Sequence, residues 1–307
     1  MQSALQTAFG GLIDYAGLFP PAKLDMAQAV AEYDTARAGE HAWMLGRFIV
    51  PASRVDELTQ NLGDRHPFRL SVILDADTAS NSWQTDAQHW LEELATRRAD
   101  TNAGKIEILE VPVPALRALR DTFDSAIGQL GMLLQGTALR DLSCFVELPR
   151  GDQWEALLPN SMAALARTKL SGKIRCGGEV PTAFPSCEEL AAFVHAAHDN
   201  GVAFKATAGL HHPIRAKNET TGLLMHGFLN LLAAATFAQR GTPQHELASI
   251  LAEPDPTAFR FKDDGFMWRN WTASTEDLTQ MRRAGFYSYG SCSFDEPIAD
   301  LTDLRIL

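Results

Sequence analysis

The sequence predicts a (β/α)8 barrel, and three observations support that prediction. Eight short apolar or alternating segments occur in order, and helical periodicity follows seven of them, which is the pattern of repeated βα units. The chain has 307 residues, 46% of them hydrophobic, which suits one barrel with a full core. Three of the segments end at Pro51, Pro112 and Pro149, as strands do where they leave a sheet.

The predicted strands, in chain order, span 12–20, 44–50, 68–74, 106–111, 142–148, 173–176, 202–208 and 286–291. The helices predicted after the first seven span 25–38, a stretch that ends near 62, 83–98, 115–128, 154–167, a stretch that opens at 186, and 226–240. Ser53 is a candidate N-cap of the second helix, and Ser186 with Glu189 forms a capping box for the sixth. An open, doubly wound sheet fits the same alternation.

One segment, 242–273, does not fit the βα pattern. Within it, the apolar stretches 259–261 and 266–268 flank Asp263, Asp264 and a glycine, which predicts a hairpin turn. We therefore expect a single barrel domain over 1–307, with an insertion at 242–273 before the eighth strand.

The charge balance excludes two classes of partner. Lys and Arg total 27 against 38 Asp and Glu, so the net charge of −11 repels phosphate backbones and anionic lipid. No apolar run reaches the roughly 18–20 residues of a membrane-spanning helix. We therefore expect neither nucleic acid nor a membrane as partner. A small anionic substrate in a locally basic pocket stays compatible with this balance.

The cysteines and the first residues are those of a cytoplasmic protein. None of the four cysteines forms a C-x-x-C pair, and a chain of this length needs no disulfide framework, so we expect reduced thiols. No Lys or Arg precedes Lys23, so we expect no secretory signal. No GxGxxG, Walker or HExxH motif occurs to indicate a nucleotide or zinc-protease site. The oligomeric state stays open, a homo-oligomer included.

Two lysines occupy matching positions on the sixth and seventh predicted strands. Side chains alternate along a strand, so Lys173 shares a face with Arg175, and Lys205 shares one with Thr207. In a barrel both polar faces point inward, which brings the two ammonium groups close together. Burial and a second cation both disfavour the charged form, and a neutral lysine attacks carbonyl carbon. The alternative is that each lysine pairs with a carboxylate or reaches solvent.

The stretches 173–177, 205–209 and 289–293 resemble strands six, seven and eight of class I aldolases of the deoxyribose-phosphate aldolase type. The resemblance implies a (β/α)8 barrel in which Lys173 forms a Schiff base and Lys205 lowers its pKa. It also implies that Gly209 and the turn at Gly290 and Ser291 approach a substrate phosphate. Two longer stretches, 14–21 and 290–297, are similar to segments of bacterial proteins without an assigned function.

Three histidines lie at or after the seventh strand, at the end of a barrel where catalytic groups are placed. His211 and His212 follow the strand directly, and His226 opens the next predicted helix. Imidazole transfers protons near neutral pH and binds divalent metals. Adjacent side chains on an extended chain point in opposite directions, so we expect one of His211 and His212 in the site. The alternative is a loop histidine bonded to backbone.

Carboxylates also occupy predicted strand ends, where barrel enzymes place acids and bases: Asp14, Asp75, Glu110 and Glu147. Glu147 has three candidate roles, as general base, metal ligand or counter-ion of the lysines. As a counter-ion it would keep a lysine charged, which opposes imine formation. The sequence leaves that sign open.

The leading hypothesis is a lyase or isomerase that acts on a small carbonyl or anionic metabolite through a Schiff base on Lys173, without a cofactor. Lys205 and Arg175 would lower the pKa of Lys173 and steer an anionic substrate, while His211 or Glu147 moves protons. The residues expected to contact substrate are Arg175, Thr207, Gly209, His212, Gly290, Ser291 and Asp14.

Two other classes of function fit the same residues. One is a metal-dependent barrel hydrolase or isomerase, in which a divalent metal ion binds His211 or His212 together with Glu147, Glu110 or Asp14. The other is a non-catalytic metabolite-binding protein that holds an anion through the two lysines and Arg175.

Overall fold

The computed structural model describes residues 3–75, 83–98, 104–112, 123–151, 154–178, 180–218 and 222–307. The strands are β1 (Ile13–Tyr15), β2 (Leu45–Pro51), β3 (Arg69–Ile73), β4 (Lys105–Pro112), β5 (Ser143–Glu147), β6 (Ser171–Arg175), β7 (Phe204–Thr207), β8 (Ala216–Lys217), β9 (Leu224–Met225), β10 (Phe259–Lys262), β11 (Gly265–Trp268), β12 (Trp271–Ser274) and β13 (Phe286–Ser291). The α-helices are α1 (Ala4–Phe9), α2 (Met26–Ala38), α3 (Val55–Leu62), α4 (Trp83–Arg97), α5 (Phe123–Gln135), α6 (Trp154–Thr168), α7 (Cys187–Asp199), α8 (Phe228–Ala238), α9 (Gln244–Ala252), α10 (Thr275–Ala284) and α11 (Asp295–Asp303).

Eight parallel strands close into one barrel in the order β1, β13, β7, β6, β5, β4, β3, β2. The closure is made by β1, which pairs with β13 on one side and β2 on the other. The (β/α)8 prediction is therefore confirmed, and the open-sheet alternative is wrong. Among the helices of the described ranges, none is both long and apolar enough to cross a membrane.

The first strand is much shorter than the predicted 12–20. β1 ends at Tyr15 because the chain turns immediately afterwards, where the amide of Phe19 donates to the carbonyl oxygen of Ala16 at 2.9 Å. The helix predicted over 115–128 is described only from Phe123, where α5 runs to Gln135, and residues 115–122 of that prediction lie outside the described residues.

Two predicted helix starts are wrong. The N-cap position of α3 is Arg54, which makes no side-chain cap, whereas Ser53 donates from its amide and hydroxyl to the carboxylate of Asp75. Helix α8 begins at Phe228, because Gly227 before it has extended backbone and serves as the N-cap. The predicted capping box of α7 is confirmed.

The segment 242–273 holds more structure than the predicted hairpin. β10 and β11 pair antiparallel around the expected turn, and β12 and α9 add a third strand and a helix. Phe237 of α8 contacts the sheet at Phe266 and Trp271, with ring centroids 6.4 and 5.4 Å apart, and α9 packs along α7 and α8. This cover explains why every residue of α8 is buried.

Side-chain alternation holds on β6 and β7, as predicted. Ile174 and Ala206 join the apolar layer between barrel and helices. Lys173 and Lys205, the residues directly before them, point into the barrel. On β2, β4 and β13 the ladder register shifts by one residue, which marks a β-bulge on each strand. Period-2 reasoning from the sequence fails at these three points.

The capping box of α7 gives a direct test of the fold. The hydroxyl of Ser186 accepts from the amide of Glu189, whose carboxylate accepts from the amide of Ser186 at 2.7 Å. We expect Ser186→Ala to lower the free energy of unfolding by about 1 kcal/mol, which is the usual value of an N-cap. Urea denaturation followed by circular dichroism measures it. Ser249→Ala, on the exposed face of α9, is the control and should change stability by less than about 0.5 kcal/mol. Equal stability of the two variants would contradict the capping role.

Candidate active site

Two lysines and one glutamate meet inside the barrel. Lys173 and Lys205 are register partners on β6 and β7, and they are only 3% and 1% exposed. Their Nζ atoms lie on different oxygens of the Glu110 carboxylate from β4, at 2.7 Å for Lys173 and 2.6 Å for Lys205. The predicted convergence of the two ammonium groups is confirmed, and a carboxylate lies between them.

Each lysine has a second carboxylate partner. Lys173 Nζ lies 3.2 Å from Glu147, whose other oxygen is 3.4 Å from Nε of Arg175. Lys205 Nζ lies 2.6 Å from Asp14. The side chains therefore form a charge row of alternating sign, in the order Arg175, Glu147, Lys173, Glu110, Lys205 and Asp14. A buried ion pair needs this compensation, because the loss of one partner leaves an uncompensated charge.

Two serine hydroxyls complete the lysine surroundings. Ser71 donates to the same Glu110 oxygen that binds Lys205, at 2.5 Å. Ser288 donates to the Asp14 oxygen that binds Lys205, at 2.6 Å. These bonds fix both carboxylates, so the position of the Lys205 ammonium group is set on two sides.

Asp14 depends on a bulge and a glycine of β2. The amide of Arg47 donates to Oδ1 of Asp14 at 2.7 Å, because the bulge sets two β2 residues opposite the single residue Asp14. A Cβ atom on Gly46 would lie 2.1 Å from the same oxygen. Only glycine leaves room for the carboxylate there. Gly46 therefore shapes the site because it has no side chain.

The electrostatics of the row hold its two glutamates in the charged form. Burial alone would raise the pKa of Glu110. The ammonium groups of Lys173 and Lys205 lower it by more than burial raises it, so the pKa of Glu110 lies well below the usual range. Burial also opposes ionisation of Glu147, and Lys173 with Arg175 outweighs it, so this pKa is lowered as well. Both glutamates are therefore carboxylates at neutral pH.

The expected sign of the Lys173 pKa shift is wrong. We predicted that Lys205 and Arg175 lower it; burial does act in that direction, but the carboxylates of Glu110 and Glu147 outweigh burial and raise the pKa of Lys173 above its ordinary value. Lys205 is not an isolated neighbouring cation, because it is neutralised by its own partners. Glu147 therefore acts as a counter-ion, the role that the sequence left open.

The rim residues lie at the carboxyl ends of β6, β7 and β13. Arg175, half exposed, faces Thr207 across the ladder. A Cβ atom on Gly290 would lie 3.6 Å from the hydroxyl oxygen of Thr207, which places this glycine beside it. Gly209 has φ of +69°, and a Cβ atom there would lie 2.7 Å from the carbonyl oxygen of Cys176. The hydroxyl of Ser291 donates to the carbonyl oxygen of Ser293 at 2.6 Å.

The paired histidines contact carboxylates of α11. Nδ1 of His211 lies 3.3 Å from Glu296, and Nδ1 of His212 lies 2.7 Å from Asp300. Sγ of Cys292 is 3.9 Å from the same nitrogen of His211. Glu296 and Asp300 are not members of the charge row, so these contacts place His211 and His212 against α11.

His226 has a structural role. It is buried, its Nε2 lies 2.7 Å from the carbonyl oxygen of Pro185, and its Nδ1 lies 3.2 Å from Arg215. Burial lowers the pKa of His226 to about 4, so the ring is neutral at physiological pH. Over the ranges that the structure describes, no three His, Cys, Asp or Glu side chains are grouped so that they could hold a metal ion.

Sequence reasoning did not place Glu110 in the catalytic set, nor did it find the two serines or Arg47. The signal for Ser71 was present, since it lies between the outward-facing Leu70 and Val72 on β3. Ser288 and Arg47 follow bulges, so alternation counted from the start of each strand assigns them to the wrong face.

Comparison with known proteins shows a likeness in fold alone. No protein-family model matches this chain, and no curated protein matches it. Among solved structures, it is similar to the deoxyribose phosphate aldolase of Aeropyrum pernix, which is described as having a unique tetrameric structure. That likeness covers 98% of each chain with a TM-score of 0.50 and 10% sequence identity. It shows the same barrel fold at full length.

Glu110→Gln tests the shared carboxylate. The substitution leaves two buried ammonium groups facing each other, so we expect a loss of about 3–5 kcal/mol in the free energy of unfolding at neutral pH. Urea denaturation measures this loss, with Glu40→Gln on the exposed surface as the control. A loss no larger than that of Glu40→Gln would contradict the arrangement.

The same pair of variants predicts the pH dependence of stability. The lowered pKa of Glu110 stabilises the fold above the ordinary value of 4.5, and this part is lost as the pH falls through the folded-state pKa. The raised pKa of Lys173 stabilises the fold below 10.5, and this part is lost as the pH rises through the folded-state pKa. We therefore expect the wild-type advantage over Glu110→Gln to be largest between these two limits.

Proposed function

We propose that this protein is an aldolase-like lyase, which makes or breaks a carbon–carbon bond of a small carbonyl compound through an imine on Lys173. The observation that carries the proposal is the pair of buried lysines, Lys173 and Lys205, on the single carboxylate of Glu110. Such charged groups are expensive to bury and cluster at functional sites. The likeness in fold to an aldolase and the resemblance of three strand motifs agree with the proposal.

Lys173 is the better nucleophile of the two lysines. Its second partner, Glu147, is 20% exposed and leads through Arg175 to the half-exposed rim of the barrel. Lys205 is enclosed by Asp14, Glu110 and two hydroxyls, and these carboxylates are almost fully buried. A substrate that enters from the rim therefore meets Lys173 first.

Imine formation starts from the charged lysine. A carbonyl compound that reaches Lys173 separates its ammonium group from Glu147, which takes one proton and leaves a neutral amine. The amine adds to the carbonyl carbon, and Glu147 returns its proton to the hydroxyl group of the resulting carbinolamine, which leaves as water. The product is an iminium ion, which is again positive beside Glu110. The carboxylates that raise the pKa of Lys173 thus stabilise the covalent intermediate as well.

Carbon–carbon cleavage follows from the iminium charge. A carboxylate takes the proton of the hydroxyl group on the carbon β to the iminium, the α–β bond breaks, and an aldehyde leaves. The electron pair of that bond forms an enamine on Lys173, which takes a proton at carbon and is hydrolysed to the second carbonyl product. Lys205 stays on the other oxygen of Glu110 and helps to hold that carboxylate in its ionised form.

An anionic substrate group fits the rim. Arg175 is half exposed, and within the described ranges its one ion pair is through Nε to Glu147, which leaves the two terminal nitrogens of the guanidinium group on the solvent side. The nearby Thr207 adds a hydroxyl, and Gly209 brings backbone close to the same opening. We assign the recognition of a carboxylate or phosphate of the substrate to these residues.

Non-catalytic binding of a metabolite anion is the second candidate, and the raised pKa of Lys173 favours it. A lysine that stays charged at neutral pH binds carboxylate or phosphate without attacking carbonyl carbon. The two functions differ in one product, the covalent adduct.

Reductive trapping distinguishes them. The protein is incubated with aldehydes of two to five carbons, with and without phosphate, and with 2-oxo acids, and borohydride is added. Mass spectrometry is expected to locate a reduced adduct on Lys173. Lys173→Met should abolish the adduct, and Lys205→Met should slow its formation by about tenfold or more, since Lys205 acts through Glu110.

Exposed lysines supply the background of that experiment. Lys262, on β10, lies outside the barrel and is the control for non-specific labelling. Labelling of Lys173 no faster than that of Lys262 across the whole panel would remove the lyase proposal. Stabilisation by the same compounds without an adduct would then favour the binding protein.

The pH dependence of the reaction tests the role of Glu147. Glu147→Gln removes one of the two carboxylates that raise the pKa of Lys173, so we expect that pKa to fall. The rate of reductive methylation of Lys173 by formaldehyde, measured against pH, gives the midpoint directly. Glu40→Gln should leave the midpoint unchanged, and an unchanged midpoint in Glu147→Gln would contradict the counter-ion role.

A further inference from the structure

A second polar group of side chains lies inside the barrel, below the lysines, and three β-bulges build it. We call Arg47, Glu107 and Tyr287 the lower cluster. Each of them lies where the ladder register shifts. Arg47 lies in the bulge of β2, Glu107 in the bulge of β4 and Tyr287 in the bulge of β13. A bulge turns a side chain that alternation would send elsewhere, and bulges are frequent beside functional sites.

The three side chains of the lower cluster bind one another. Arg47 is 8% exposed; its Nε lies 3.0 Å from Glu107, and its Nη2 donates to the hydroxyl of Tyr287 at 2.8 Å. The ring of Phe145 separates this cluster from the lysines. Its centroid is 5.3 Å from the Tyr287 ring and 5.8 Å from Nζ of Lys205. The lower cluster therefore lies below the lysines, and its one link to the charge row on the residues described is Arg47, whose Nη1 is 3.7 Å from Asp14.

Positive charge exceeds negative charge around the lower cluster. Glu107 meets three cations, since Arg69 and Lys105 lie 3.0 and 3.8 Å from it in addition to Arg47. Arg282 binds only the carbonyl oxygens of Phe286 and Gly10 among the described residues, and no described carboxylate lies within ion-pair distance of it. Burial, and to a lesser extent the nearby charge of Arg47, lowers the pKa of Arg282 to about 10. This local excess stands out in a chain with a net charge of −11.

A cavity of about 730 Å³ opens beside the cluster, at the amino ends of the strands. Its lining includes Arg98, Lys105, Glu107, Leu142 and Tyr287. Helix α1 covers the neighbouring part of this end, where Gly10 after it accepts from Arg282. The opening thus lies on the side of β3, β4 and β5, opposite to the rim that carries Arg175.

We propose that this cavity is a second binding site, which takes a small dianion of the phosphate-ester class. Lys105 lines the cavity and is 79% exposed, and its ladder partner Arg69, 47% exposed, lies on the same Glu107 carboxylate. Glu107 and Tyr287 hold Arg47 in place behind them. Guanidinium and ammonium groups both donate charge-assisted hydrogen bonds to phosphate oxygens, and the surplus cations supply the charge that a dianion needs. The proposed site lies at the amino ends of the strands, opposite to the rim from which a substrate reaches Lys173.

Calorimetric titration of the full chain with inorganic phosphate, at constant ionic strength set by chloride, tests the proposal. We expect saturable binding that Arg69→Met and Lys105→Met each weaken by about tenfold, the loss of one charge-assisted contact. Lys262→Met, which removes an exposed lysine outside the cavity, should leave the affinity unchanged. Both residues are exposed at strand starts, Lys105 in the cavity and Arg69 beside it, and urea denaturation confirms that the variants fold.

Three outcomes would overturn the second site. They are no saturation up to millimolar phosphate, binding that survives both cavity substitutions unchanged, and equal weakening by Lys262→Met. Chemical shifts of the Lys105 and Tyr287 amides give the location, because a dianion in the cavity moves them. Shifts confined to the rim around Arg175 would place the phosphate in the active site instead and count against the proposal.

Discussion

One carboxylate held between two ammonium groups is the constraint on which the barrel interior depends. Glu110 neutralises Lys173 on one oxygen and Lys205 on the other, far from bulk water. Loss of register on β4, β6 or β7 would leave at least one buried charge without a partner, at a cost of several kcal/mol. The strands that carry the chemistry are therefore also the strands whose alignment this interaction enforces.

The alternation of charge continues past the lysines. Asp14 lies 3.7 Å from a guanidinium nitrogen of Arg47, which in turn binds Glu107, so opposite charges follow one another from the rim of the barrel to its amino end. The two ends of this series differ in charge. Arg175 ends it at the rim, whereas Arg47, Arg69 and Lys105 all meet Glu107 at the amino end. Two openings with different charge thus share one interior, and Phe145 divides them.

The sequence predicts the barrel and the inward faces of β6 and β7, because period 2 holds on those strands and both lysines follow it. It could not predict the pKa of Lys173, because Glu110 comes from β4, two strands away in the barrel, and is not a ladder partner of either lysine. It also missed Arg47 and Glu107, since a bulge shifts the alternation by one residue without a residue type to announce it. His226 was a candidate by position, and its burial beside Pro185 makes it structural.

The charge of the Lys173 side chain is the most direct test of this account. Nitrogen-15 NMR of the lysine Nζ atoms, assigned with Lys173→Met and Lys205→Met, follows protonation of each amine against pH. The account predicts that the Lys173 resonance remains that of an ammonium group at every pH below its ordinary value of 10.5. A resonance that titrates near neutral pH would show a lysine without effective carboxylate partners, and would contradict it.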